Sequence, residues 1–142
     1  MKISARNKFR GEVVLIKKGA VNAEVVIRID GGEYISAVIT NKSVDELGLK
    51  EGNHAWALFK AASVVLVLSE EPIKTSARNQ FFGRITACQK GVVNGEVVIQ
   101  SEGNNTVTAI VTTESIERLG LNQGVSVLAL VKASSILIGL EE

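Results

Sequence analysis

Seven polar residues of this chain recur at one fixed offset. Ser4, Arg6, Asn7, Asn22, Thr40, Ser43 and Lys60 are matched 72 residues later by Ser76, Arg78, Asn79, Asn94, Thr112, Ser115 and Lys132. Every one of these residue types donates hydrogen bonds, and none is a carboxylate. Ser4 and Arg6 are two apart, so in an extended segment they project from the same face. Ser43-Val44-Asp45-Glu46 has the form of a capping box. It predicts Ser43 as the N-cap of a helix whose free N–H groups and dipole favour an anion. Lys60 and Lys132 each add a point charge. Donors, cations and a helix N-terminus together describe a pocket for a small oxyanion.

Residues with catalytic chemistry do not recur in this way. His54, the one histidine, aligns with Ser126, and Cys88, the one cysteine, aligns with Ile16. Trp56 aligns with Leu128 and Tyr34 with Thr106. They read as a rim histidine, a small core cysteine and two packing aromatics, without a nucleophile–base pair or a metal-ligand set. Acidic residues common to both copies are few, and Glu24 with Glu96, on an alternating strand face, reads as solvated. No enzyme is expected. Taken singly, Ser43 as a plain N-cap, Thr40 at a strand end and Arg6 on the surface need no ligand. The oxyanion reading rests on the joint recurrence.

The elements that must hold these residues also come twice. The offset runs without a gap from Ser4-Ala5-Arg6-Asn7 to the end of the chain, the signature of a repeat architecture. Residues 1–68 and 73–142 form the two units, and 69–72, with the only proline, reads as the linker. The runs Gly11 to Ile16, Glu24 to Ile29, Tyr34 to Thr40, His54 to Lys60 and Ser63 to Leu68 read as strands. The second copy repeats them as Gly83 to Cys88, Glu96 to Gln100, Thr106 to Thr112, Ser126 to Lys132 and Ser135 to Leu140. Asp30-Gly31-Gly32 predicts a hairpin turn. Leu47-Gly48-Leu49 ends a short helix, with Gly48 suited to a left-handed C-cap. The order of three strands, a helix and two strands gives an all-β chain of two tandem OB-fold-like five-stranded barrels, each with one short helix between strands 3 and 4. Units of about 65–70 residues with aliphatic cores gain from packing together or with other chains, so an oligomer is expected.

A net charge of +1 excludes a strongly basic polyanion binder. Only Phe9 and Phe81 recur among the aromatics, which disfavours the stacking platform of a nucleic-acid-binding OB fold. No run suits a membrane span or a signal peptide. A cytoplasmic protein without membrane or nucleic-acid partners is the expectation.

At Ser-Ala-Arg-Asn the chain resembles the Mop family of molybdenum-binding proteins, over both repeats. The supporting runs are Gly19-Ala20-Val21-Asn22-Ala23-Glu24-Val25, Val38-Ile39-Thr40 with Ser43, Leu47-Gly48-Leu49 and Lys60-Ala61. The second copy carries Gly91 to Val97, Ile110-Val111-Thr112 with Ser115, Leu119-Gly120-Leu121 and Lys132-Ala133-Ser134. Two such units and nothing more resemble a di-domain molbindin. That resemblance implies OB-like barrels, a homotrimer and cytoplasmic storage of molybdate, with tungstate as an alternative, at interfaces between subunits. It assigns oxyanion contacts to Ser4, Arg6, Thr40, Ser43, Lys60 and Ala61. The second set is Ser76, Arg78, Thr112, Ser115, Lys132, Ala133 and Ser134. Val21, Asn22, Val93 and Asn94 correspond to a second type of site. The family's serine after Lys-Ala is Ser134 in one copy and Ala62 in the other, so the first copy is expected to lack a hydroxyl. A molybdate-responsive module acting on another protein is the alternative function, with a nucleic-acid binder behind it.

Overall fold

A computed structural model describes residues 2–141. The first repeat supplies β1 (Asn7–Lys18), β2 (Asn22–Arg28), β3 (Tyr34–Thr40), helix α1 (Asn41–Leu47), β4 (His54–Phe59) and β5 (Val65–Val67). The second supplies β6 (Asn79–Lys90), β7 (Asn94–Ser101), β8 (Thr106–Thr112), α2 (Thr113–Leu119), β9 (Ser126–Val131) and β10 (Leu137–Gly139). None of the described helices is long and apolar enough to cross a membrane.

β1 is longer than its apolar run because it serves two neighbours. Its first half pairs with β4, from Asn7 opposite Phe59 to Glu12 opposite His54. Its second half pairs with β2, and the register slips by one residue between Val13 and Leu15. That bulge bends the strand so that one chain segment joins both walls of a curled sheet. At the bend, Gly11 lies so close to β2 that a Cβ there would stand 2.2 Å from the Arg28 carbonyl oxygen, and at Gly83 2.1 Å from that of Gln100. Only glycine fits this approach.

The fifth strands correct the expected assignment. The sheets run β10-β4-β1-β2-β3 and β5-β9-β6-β7-β8. β5 pairs with β9, and β10 pairs with β4. Each five-stranded sheet therefore takes four strands from one repeat and its last from the other. This exchange makes a single apolar core out of two small ones. Phe9, Phe59 and Phe81 stack across the boundary with ring centroids 5.9–6.4 Å apart. Val25, Ile27 and Ile35 of one repeat and Val97, Ile99 and Val107 of the other belong to the same buried cluster.

The helices also begin differently from the sequence expectation. The N-cap is Thr40, not Ser43: its Oγ1 accepts from the Ser43 N–H at 3.0 Å, and α1 starts at Asn41. Thr112 does the same for Ser115 at 3.1 Å in α2. A threonine leaving a strand in extended conformation satisfies a free N–H at once, which moves the cap to the strand end. Gly48 and Gly120 close the helices with left-handed φ of 63° and 65°, as Leu-Gly-Leu predicted.

Candidate functional site

The recurring polar residues gather in two kinds of cluster. The first lies at the open end of β1 and β4. Because Asn7 stands opposite Phe59, the residues just beyond the pair are Arg6 on one strand and Lys60 on the other. Lys60 leads into a 3-10 turn, Ala61–Ser63, closed by the Ser63 N–H donating to the Lys60 carbonyl at 3.0 Å. Asn79 opposite Val131 places Arg78 beside Lys132 in the same manner, ahead of the Ala133–Ser135 turn. Ala61 and Ala133 are buried, with the turns packed against β8 and β3 of the opposite repeats. Ser4, Arg6, Lys60, Ser76, Arg78, Lys132 and Ser134 are exposed.

The second cluster sits where β3 or β8 enters its helix. Thr40 donates its hydroxyl to Ser43 Oγ at 2.9 Å, and Thr112 to Ser115 Oγ at 2.8 Å. The neighbouring β1–β2 turn closes by the Gly19 N–H donating to the Asn22 carbonyl at 2.8 Å. Asn41 then ties that turn to α1, its N–H to the Val21 carbonyl at 2.8 Å and its Nδ2 to the Gly19 carbonyl at 2.9 Å. Thr113 repeats both ties to Val93 and Gly91. Thus Val21 and Asn22 come together with Thr40 and Ser43, and Val93 and Asn94 with Thr112 and Ser115.

The two kinds of cluster meet across the repeats. Arg6 grips Glu96 of β7 with Nη1 and Nη2 donating at 2.9 and 3.0 Å. Glu96 is two residues along β7 from Asn94, on the same face, and Asn94 is the register partner of Thr112. Arg6 of the first repeat therefore reaches the face of β7 that carries Asn94, and the turn after Lys60 packs against β8, the strand that ends at Thr112. The reciprocal set is carried by Arg78, whose Nη2 lies 2.5 Å from Glu24 Oε2. That contact is an ion pair without hydrogen-bond geometry, and the Arg78 charge is the partner of an otherwise unsatisfied, buried Glu24 oxygen. The Arg6 pKa is raised, by the hydrogen bonds it donates to Glu96 first and by the Glu96 charge second, against a lowering by desolvation.

Sequence reasoning misread four of these residues. Glu24 and Glu96 are not idle solvated positions but the partners of the arginines, and their recurrence in both copies was the available signal. Asn7 and its counterpart Asn79 are buried at 1% and 2% exposure, so they are part of the repeat interface and not ligand donors. A hollow of about 280 Å³ beside Glu96 takes in Asn94, Gly91 and Lys90, while another, of about 590 Å³, lies around Phe82, Arg84 and Gln100.

Residues 3–66 and 75–138 each match the TOBE domain model. The chain belongs to the TOBE-domain family. This TOBE pair is 41% identical over 138 residues to the molybdenum transport protein ModE of Azotobacter vinelandii, covering 97% of this chain and 51% of that protein. It is 38% identical over 140 residues to the molybdenum-pterin-binding protein MopA of Rhodobacter capsulatus, covering 99% and 53%. The chain thus spans about half the length of these curated relatives. Among solved structures, the cytoplasmic molybdate-binding protein ModG, with molybdate bound, superposes with a TM-score of 0.94 at 41% identity. The match covers 99% of this chain and 100% of that one. The Mop resemblance of the sequence and these TOBE relatives point to the same family.

Proposed function

We propose that this chain binds molybdate, with tungstate as a second oxyanion of the same geometry, and stores it in the cytoplasm as a homotrimer. The carrying observation is the likeness, at TM-score 0.94 and across the whole of both chains, to a cytoplasmic protein with molybdate bound. The donor sets support the reading. Arginine, lysine, hydroxyls and backbone N–H groups suit the oxygen shell of an intact oxyanion. The contacts are Ser4, Arg6, Lys60 and Ala61 with Thr112 and Ser115, and Ser76, Arg78, Lys132, Ala133 and Ser134 with Thr40 and Ser43. Val21, Asn22, Val93 and Asn94 serve a second type of site. Their exposure in the single chain accords with sites that a further copy of the chain completes. The role is binding and not catalysis, in keeping with relatives named as binding proteins.

Native mass spectrometry with molybdate, and with sulfate as control, tests the proposal. The expected result is a trimer that gains several molybdates and no sulfate. A monomer without oxyanion uptake overturns both the assembly and the storage role. A second reading, a molybdate-responsive module acting on another protein, draws on the observation that the matched region is only 51% of the Azotobacter ModE chain. A pull-down that captures a partner only when molybdate is present would favour it over storage.

A further inference from the structure

We infer that Glu96 and Glu24 are positioning residues for the oxyanion sites, each aiming the arginine that the opposite repeat contributes. The inference rests on the binding role proposed above and goes beyond it in assigning carboxylates to the sites.

Arg6 stands on a segment without regular structure, one residue before β1, and its side chain is 50% exposed. Left alone, such an arginine samples many rotamers, and an anion would have to order it on binding. Glu96 does that ordering beforehand. Its two oxygens take one N–H from each Nη, the bidentate arrangement that fixes both the position and the plane of a guanidinium. Of the five N–H groups, three stay unspent in this grip: Nε–H and one on each Nη. They are held over the face of β7 that also carries Asn94, the register partner of Thr112.

The pairing recurs in a weaker form, as one ion-pair contact without the two-nitrogen grip. Arg78 meets Glu24, the counterpart of Glu96, and the Glu24 side chain is only 19% exposed. Both pairs cross the repeat boundary in opposite senses. A carboxylate beside an anion site is unfavourable by Coulomb repulsion, and preorganisation of the fork offsets it.

Calorimetric titration of the intact chain with molybdate tests this, for the wild type, Glu96→Ala, Arg6→Ala and the double variant. Loss of the ordering should weaken the Arg6 sites about tenfold in Glu96→Ala. The double variant should bind no more weakly than Arg6→Ala alone, because Glu96 acts only through Arg6. A purely structural Glu96 would give additive losses, and a Glu96 that competes with the anion would give tighter binding when removed. Either result overturns the inference. Glu24→Gln with Arg78→Ala forms an independent cycle should Glu96→Ala fail to fold. A wild-type chain that takes up no molybdate overturns the binding role and this inference together, whereas uptake with additive losses overturns this inference alone.

Discussion

The side-chain amide of Asn7 forms a closed pair with the backbone of Thr108 on β8 of the other repeat. Asn7 Nδ2 donates to the Thr108 carbonyl at 2.8 Å, and the Thr108 N–H donates to Asn7 Oδ1 at 2.8 Å. The amide takes the place of a neighbouring strand and satisfies both groups of an edge residue in a buried setting. Asn79 does the same for Ser36 on β3, at 2.8 Å in both directions, and adds a bond from Nδ2 to the Val131 carbonyl at 3.2 Å. The two repeats are thus clamped reciprocally by counterpart residues.

Asn79→Ala should lower the stability of the whole chain by about 2–4 kcal/mol, because it leaves the half-buried backbone groups of Ser36 and the buried Val131 carbonyl without that partner. Asn7→Ala, which breaks two bonds instead of three, should cost less. Urea denaturation measures both, and a loss below about 0.5 kcal/mol for Asn79→Ala would show that the clamp holds nothing.

Phe81→Ala removes a ring that is 1% exposed and stacked on Phe9 and Phe59 of the first repeat. A loss of about 3–5 kcal/mol is expected. Because the core is shared, unfolding should remain one transition. Trp56, the only tryptophan, lies in β4 of the first repeat. Its fluorescence should therefore report the second-repeat mutation at the same midpoint as the far-ultraviolet signal. Two separated midpoints would mean that the repeats unfold independently.

Residues 1–72 made alone lack both β10, which covers the free edge of β4, and β9, the partner of β5. Such a fragment should dimerise by reciprocal exchange of β5, since a bare edge and an unpaired strand in the same chain fit a second copy. Light scattering after gel filtration gives the mass. A well-folded monomer would show that β5 can close its own sheet.

Ala62→Ser restores to the first 3-10 turn the hydroxyl that Ser134 carries in the second. Residue 62 is exposed, so stability should not change. If the turn contributes to an oxyanion site, affinity at the sites served by the first repeat should rise about threefold, the worth of one modest hydrogen bond. Titration with molybdate reads the change, and an unaltered isotherm would remove the turn hydroxyl from the contact set.

Much of the architecture was written in local pattern. Tyr34–Thr40 and Thr106–Thr112 form strands with the boundaries that alternation indicated, because a half-buried strand repeats every two residues. Gly48 and Gly120 mark the helix ends since few other residues tolerate their φ. β1 was cut short by the same logic: Asn7 to Arg10 do not form an apolar run, yet their backbone pairs with β4. The capping box misled because Thr40 and Ser43 can both cap, and only the strand geometry before the helix decides between them.

By itself the sequence determined the repeat, the order of strands and helices, the aliphatic core, and a recurring set of donors fit for an oxyanion. The tertiary structure alone decided which strand closes which sheet and which charge faces which. β5 and β10 are equivalent segments, and so are β4 and β9, so nothing local distinguishes pairing within a repeat from pairing between repeats. The choice depends on long-range packing around Phe9, Phe59 and Phe81 and on the two asparagine clamps. The same degeneracy hid Glu24 and Glu96, whose partners lie 54 and 90 residues away and are brought near only when the repeats exchange their ends.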